Sequence, residues 1–99
     1  MEKITTPLTK AQIKQNPILA DAIGNVYRAA FFLARSPRGK KLASQMLEKA
    51  IDVLQKFNRK ESAVLARLHQ QIGKIKTKRE RLILAEYILD EYKTLAHHI

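Results

Sequence analysis

The sequence has no cysteine and only nine acidic residues among its 99 residues. Without cysteine, disulfide bonds and thiolate metal sites are excluded. The chain also lacks any apolar run near the roughly 18 residues that a membrane-spanning helix needs. Its first seven residues, Met1 to Pro7, contain no apolar segment of the kind found in secretory signals. We therefore expect a cytoplasmic protein, or one exported without a recognisable N-terminal signal.

Catalytic and nucleotide-binding motifs are missing as well. The chain contains no G-x-x-x-x-G-K-[ST], no G-x-G-x-x-G and no H-E-x-x-H. Two carboxylate pairs occur at i, i+4 spacing, Glu48 with Asp52 and Glu86 with Asp90, but both fall on polar helix faces rather than in a pocket. We expect a protein that is not an enzyme and that uses no cofactor and no metal.

What the sequence has in excess is positive charge. Nineteen Lys and Arg residues face nine Asp and Glu residues, which gives a formal net charge of +10. Charge of this size favours anionic partners such as nucleic acid, an acidic protein surface or anionic lipid. The alternative interpretation is that the basic surface only keeps a small protein soluble.

Apolar residues recur at helical spacing in four segments, and no segment alternates as a strand would. Asn16-Pro17 and Ser36-Pro37 each combine an N-cap residue with a proline at the first helical position. These two dipeptides therefore predict the starts of helices 1 and 2.

The boundaries of the last two helices have their own signals. Asn58 with Glu61 resembles a capping box with Asn in place of Ser or Thr, Gly73 is the residue type that commonly ends a helix, and Thr77 with Glu80 forms a T-x-x-E capping box. The four predicted helices cover about residues 17–35, 37–57, 59–73 and 78–97, after a short N-terminal arm at residues 1–15.

A chain of this length, with 45% hydrophobic residues, can bury one core. Because the links are short, neighbouring helices should run antiparallel. We predict an all-α fold, an antiparallel four-helix up-down-up-down bundle that forms a single domain over residues 16–99. The alternative is one long helix that continues through residues 73–77. It is disfavoured because an interior glycine costs about 1 kcal/mol and because Arg79 would enter the apolar stripe.

In such a bundle, the link between helices 1 and 2 lies at the same end as the link between helices 3 and 4. The two links open onto helix N-termini, which favour anions, and Glu80 is the acidic residue among their cations. We predict a non-enzymatic module that holds an anionic partner at this end, with nucleic acid bound without strong sequence preference as the leading candidate. The candidate binding residues are Arg35, Arg38, Lys40, Lys41, Lys74, Lys76, Lys78, Arg79 and Arg81.

Three apolar residues fall outside the predicted core stripes. Phe32 lies on the polar side of helix 1, beside the cations, where it would stack on a base. Ile83 and Tyr87 lie one turn apart on the charged side of helix 4. They suggest an alternative function, a protein-interaction module (an adaptor, a secretion-related protein or an assembly subunit) that binds a partner protein or a second copy through this patch. A third function, docking on anionic lipid, would use the same cations as nucleic-acid binding.

Overall fold

A computed structural model describes residues 16–96, and within this range the chain forms four α-helices. They are α1 (Pro17–Arg35), α2 (Lys40–Lys56), α3 (Glu61–Ile72) and α4 (Lys78–Leu95). The predicted all-α fold is confirmed. The predicted arm at residues 1–15 lies outside the described residues, as do residues 97–99. Between residues 16 and 96, no helix is both long enough and apolar enough to cross a membrane.

The helices follow one another around the bundle in chain order. Helix α1 packs against α2 and α4, and α3 packs against the same two helices. These contacts are consistent with the predicted four-helix bundle. The centre is filled by apolar side chains, and each fully buried Leu, Ile or Val contributes about 1.5–3 kcal/mol. The side chains with no solvent exposure include Val26, Leu33, Leu47, Leu54, Leu65, Ile88 and Leu95.

Helix α1 begins and ends where the sequence predicts. The side chain of Asn16 accepts a hydrogen bond from the Leu19 N–H at 3.2 Å, and Pro17 occupies the first turn, where its missing N–H has no cost. Helix α2 starts later than predicted. Ser36 Oγ accepts from the Arg38 N–H at 3.1 Å and caps a 3₁₀ turn, Pro37–Gly39, so the α-helix itself begins at Lys40.

The link between α2 and α3 differs from its prediction. Asn58 does not cap α3. It has φ 56°, in the left-handed region that Asn tolerates better than most residues. Its N–H bonds to the Gln55 carbonyl, and the Arg59 N–H bonds to the Leu54 carbonyl. These two bonds form a Schellman motif that ends α2, and α3 begins only at Glu61.

Glu61 bonds to Arg59 rather than forming a capping box with Asn58. Its carboxylate accepts two hydrogen bonds from Arg59, from Nε at 2.9 Å and from Nη2 at 3.1 Å, with both side chains buried. Ser62 Oγ donates to the Arg59 carbonyl at 2.8 Å. An acidic residue that looks like half of a capping box is therefore half of a buried ion pair.

Helices α3 and α4 are separate, so the alternative of one continuous helix is wrong. Gly73 caps α3, and the Lys74 N–H bonds back to the Gln71 carbonyl at 2.9 Å. The predicted capping box is confirmed at the start of α4. The Glu80 N–H donates to Thr77 Oγ1 at 3.1 Å, and the Thr77 N–H donates to the Glu80 carboxylate at 3.0 Å.

The buried face of α4 is rotated from the predicted one. The spacing of Leu82, Ala85 and Leu89 predicts that all three face the core, but Leu82 is 38% exposed, and Arg81 is buried together with Leu84 and Ala85. The rotation has a physical cause, because the guanidinium of Arg81 bonds to carbonyl groups of α1 and turns this face of the helix inward.

Candidate functional site at the basic end

Two long-range contacts hold the two basic links together at one end of the bundle. Lys40, at the start of α2, donates from Nζ to the carbonyl of Ile75 at 3.3 Å. Arg81, in the first turn of α4, donates from Nη1 to the carbonyls of Leu33 and Ala34 at 2.5 and 2.8 Å. We call the surface formed by residues 35–41 and 73–80 the basic end. Its two halves are adjacent, which sequence alone could only infer from topology.

Arg81 does not belong to the exposed binding set. It is only 4% exposed, and its guanidinium satisfies carbonyl groups in the last turn of α1, which have no partner within their own helix. A cation there also complements the negative end of the helix dipole. Of the nine predicted binding residues, Arg81 therefore has a structural role, and its side chain does not face an external ligand.

The other predicted cations remain at or near the surface. Lys40 is partly buried, and its ammonium group donates a hydrogen bond to the Ile75 carbonyl in the link between α3 and α4. The remaining seven are exposed, and they come from both links. These seven are Arg35, Arg38, Lys41, Lys74, Lys76, Lys78 and Arg79.

The carboxylate of Glu80 is used within the protein. It accepts hydrogen bonds from the backbone N–H groups of Lys76, at 3.1 Å, and Thr77, at 3.0 Å. The Lys76 hydrogen bond, and after it the bond with the Thr77 side chain, hold the pKa of Glu80 below its usual value. Glu80 therefore stays ionised at neutral pH, with its charge directed at these backbone groups.

The helix N-termini at this end are capped by their own side chains. Ser36 accepts from the Arg38 N–H, and Thr77 accepts from the Glu80 N–H. A ligand would therefore meet mainly lysine and arginine side chains rather than the backbone N–H groups of the helix N-termini. Such a surface suits a flexible chain of phosphates better than one tightly enclosed anion.

The exposed aromatic residue near the cations is Phe31 rather than Phe32. Phe32 is partly buried, because the 3₁₀ turn packs on it: a Cβ added at Gly39 would lie 2.2 Å from the Phe32 carbonyl oxygen. Phe31 is 48% exposed and meets the Phe32 ring edge-to-face at 5.6 Å between centroids. The guanidinium carbon of Arg35 lies 5.9 Å from the Phe31 centroid. Sequence periodicity missed Phe31 because it borders the core stripe.

Ile83 and Tyr87 are exposed, by 39% and 55%. They line a groove of about 380 Å³ between α3 and α4. A second groove of about 390 Å³ lies between α1 and α4. Its walls include the exposed side chains of Tyr27, Phe31 and Leu82. We call these five exposed residues the apolar face. Three of these residues lie on α4 and two on the adjacent part of α1, and no other described helix covers them.

A polar cluster joins α2 to α3 beside the basic end. Ser44 Oγ and a carboxylate oxygen of Glu48 lie 2.9 and 3.3 Å from the same atom, Nε2 of His69. A catalytic relay needs the hydroxyl and the carboxylate on opposite nitrogens of the imidazole, so that one orients the ring while the other gives up its proton. This cluster has both on one nitrogen and therefore serves as a link between helices. Across residues 16–96, no group of three His, Asp or Glu side chains is placed to hold a metal ion.

No protein-family model, curated protein or solved structure matches this chain. A functional interpretation therefore depends on the geometry and charge of the basic end and of the apolar face.

Proposed function

We propose that this protein is a non-enzymatic binding module that holds nucleic acid, without strong sequence preference, on its basic end. The observation that supports this proposal is the arrangement of the two links. Lys40 and Arg81 hold them side by side, seven cations project from them, and the carboxylate of Glu80 is occupied by its own helix cap.

The type of contact follows from the side chains present. Lysine and arginine on exposed links bind phosphates, and phosphate contacts carry no information about the base sequence. Phe31, half-exposed and next to Arg35, offers an aromatic face on which one base of a single strand would stack. A helix-turn-helix is not available for reading bases, because aligning Gly73 with the turn glycine of that motif puts Arg79 where a buried aliphatic residue belongs, and Arg79 is exposed.

The proposal is tested by fluorescence anisotropy with labelled single-stranded RNA, single-stranded DNA and duplex DNA of mixed sequence. We expect the logarithm of the association constant to fall linearly with the logarithm of salt concentration, by about 0.7–0.9 for each phosphate contact. Vesicles with and without anionic lipid are measured in parallel. Tighter binding to anionic vesicles than to any nucleic acid would assign the basic end to lipid, and the absence of binding at low salt would overturn the proposal.

A matched pair of variants locates the surface. Replacing Arg38, Lys76 and Lys78 by Gln removes three exposed cations of the basic end, and we expect this variant to bind more weakly and with a shallower salt slope. The control variant replaces three exposed lysines elsewhere, Lys49, Lys56 and Lys93, and loses the same formal charge. Equal weakening in both variants would show that only net charge matters and that the basic end is not a site.

The exposure of Ile83 and Tyr87 favours a second candidate function, a protein-interaction module. Changing both residues to Ser is expected to leave the helical circular dichroism signal unchanged while a protein complex is lost. If the complex is equally stable in that variant, Ile83 and Tyr87 are not its binding surface. A cytoplasmic location stays a prediction for either function.

A further inference from the structure

The apolar face collects most of the large exposed apolar side chains of the described residues. Among residues 16–96, seven large hydrophobic side chains are exposed, and the five of the apolar face surround α4. The other two, Ile18 and Leu42, lie apart at the start of α1 and in the first turn of α2. Single exposed apolar residues are ordinary, whereas here three line the groove on one side of α4 and two line the groove on its other side, and such clustering is typical of an interaction site.

The outward ridge of α4 carries charges of opposite sign at its two ends. Arg79, Ile83, Glu86 and Asp90 are all exposed and are spaced four, three and four residues apart, so they form one line along the helix. Leu82 lies on one side of this line and Tyr87 on the other. The line starts with a cation near the N-terminus of α4 and ends with two carboxylates towards the C-terminus.

We propose that the three α4 residues of the apolar face, Leu82, Ile83 and Tyr87, bind a second copy of the chain, with the two α4 helices antiparallel about a two-fold axis. In such a pair, residues near the start of one helix lie against residues near the end of the other, and every contact occurs twice. Setting Ile83 against Glu86 of the second copy brings Arg79 against Asp90 of the second copy. The two Ile83 side chains then lie on either side of the axis.

The charge distribution of the whole molecule favours this orientation over a parallel one. The basic end lies at the N-terminus of α4, and the opposite end is nearly balanced, with Arg59 paired to Glu61 and Lys56 to Asp52. Antiparallel pairing keeps the two basic ends far apart. At physiological ionic strength the Debye length is about 8 Å, so the remaining repulsion between them is largely screened. Arg79 would then serve the dimer, and six exposed cations would stay on each basic end.

Sedimentation equilibrium of the full chain, over micromolar to millimolar concentrations at physiological salt and without nucleic acid, measures the association directly. We expect a reversible monomer–dimer equilibrium. A monomer at every concentration would overturn the inference, and it would leave the nucleic-acid proposal untouched because the measurement contains no nucleic acid.

Charge reversal tests the register of the pair. Arg79→Asp and Asp90→Arg each place like charges together twice, so each variant should weaken the dimer by about tenfold or more. The double variant carrying both changes restores opposite charges and should recover most of the lost affinity. Failure of the double variant to recover, with an unchanged circular dichroism spectrum, would contradict this register.

Two apolar substitutions provide a matched comparison. Ile83→Ser removes an apolar side chain at the proposed two-fold axis, and Leu42→Ser removes one of equal exposure, 39%, from α2. We expect Ile83→Ser to raise the dimer dissociation constant by about tenfold or more, since the residue is lost twice, and Leu42→Ser to leave it unchanged. Equal effects of the two substitutions would exclude the α4 face as the interface.

Discussion

Arg81 places a charged group inside the bundle, among the side chains with which α4 packs on α1. Its guanidinium is 4% exposed and bonds to the Leu33 and Ala34 carbonyls, which otherwise lack partners at the end of α1. The hydrogen bonds that the Arg81 guanidinium donates therefore join the first turn of α4 to the last turn of α1. At this residue, the same chemical group that would bind a phosphate instead stabilises the fold.

Replacing Arg81 by Met should lower the free energy of unfolding by about 2–3 kcal/mol, because hydrogen bonds to a charged group are lost and the buried Leu33 carbonyl is left without a donor. Urea denaturation followed by circular dichroism measures the change. Lys78→Met, three residues away and exposed, is the control and should stay within about 0.5 kcal/mol of the wild type. Equal effects at the two positions would contradict the structural role of Arg81.

The backbone of Phe32 leaves no room for a side chain at position 39, so this position requires glycine. A Cβ at this position would lie 2.2 Å from the Phe32 carbonyl oxygen and 2.8 Å from its carbonyl carbon, and both are backbone atoms that cannot rotate away. Gly39→Ala should therefore cost about 1–3 kcal/mol, as overpacking does. A Cβ added at Gly73 would contact no other residue within 4 Å, and φ there is −70°.

We expect Gly73→Ala to be neutral or to stabilise by about 0.4–1 kcal/mol, because it restricts only the unfolded chain. Thermal and urea unfolding of the two alanine variants make the comparison. A Gly39→Ala protein as stable as wild type would show that the α1–α2 link does not pack as closely as described.

Glu91 predicts a pH dependence. Partial burial, and secondly the nearby charge of Glu61, raise the pKa of Glu91 above its usual value. The folded state therefore holds this proton more tightly than the unfolded chain does. The free energy of unfolding should therefore fall as pH rises from the usual pKa of a glutamate through the raised pKa of Glu91. Above the raised pKa, Glu91 is ionised in both states and its contribution to folding is least favourable.

Glu91→Gln removes this penalty, so the variant should be more stable than the wild type at neutral pH, and the advantage should disappear in acid. Urea unfolding at both pH values, with Asp21→Asn as an exposed control, tests the sign. A Gln variant that is less stable at neutral pH would contradict it.

At the scale of single elements, the α2–α3 link depends on a buried ion pair rather than on a capping box. The Arg59 and Glu61 side chains are 1% and 0% exposed and are joined by two hydrogen bonds. Removing one member of such a pair leaves a buried charge without its partner, which typically costs about 3–5 kcal/mol.

We therefore expect Glu61→Leu to destabilise the protein by about 3–5 kcal/mol, and the double variant with Arg59→Met to regain part of that loss. Asp52→Asn breaks the exposed pair with Lys56 and should cost at most about 1 kcal/mol. The three free energies come from urea unfolding. A double variant no more stable than Glu61→Leu would show that other contacts of Arg59 dominate.

Helix starts with a local chemical signal could be predicted from the sequence. Asn16-Pro17 places the start of α1 correctly, and Thr77 with Glu80 places the start of α4, because a cap is formed by residues three positions apart. Asn58 misled the prediction because the same residue type caps an N-terminus and tolerates the left-handed conformation that ends a helix.

The candidate site was less accessible to sequence analysis. The pairing of the two links follows from a bundle with short connections, and Lys40 with Ile75 bears it out. The burial of Arg81 does not follow from any local pattern, because its acceptors lie 47 and 48 residues away in the chain. Hydrophobic periodicity assigns every arginine to the surface, and only the three-dimensional structure shows which carbonyl groups need a donor.

At the scale of the whole molecule, charge is divided unequally between the two ends of the bundle. One end presents seven exposed cations with a carboxylate that is already bonded, and the other contains the ion pairs Lys56–Asp52 and Arg59–Glu61. An electric field of this shape attracts and orients a polyanion before contact. Both links should therefore contribute to binding, since they form one surface.

The most direct measurement compares salt slopes for two variants, each altered in one link: Arg38 and Lys41 to Gln, and Lys76 and Lys78 to Gln. Association constants with the best-bound nucleic acid are measured over a range of salt concentrations, beside Lys49 and Lys56 to Gln as the control. If both links contact phosphates, each link variant should lose up to about 1.4–1.8 from the magnitude of the slope, and the control should lose none. Slopes that are unchanged in either link variant, or that fall equally in the control, would contradict a single site formed by the two links.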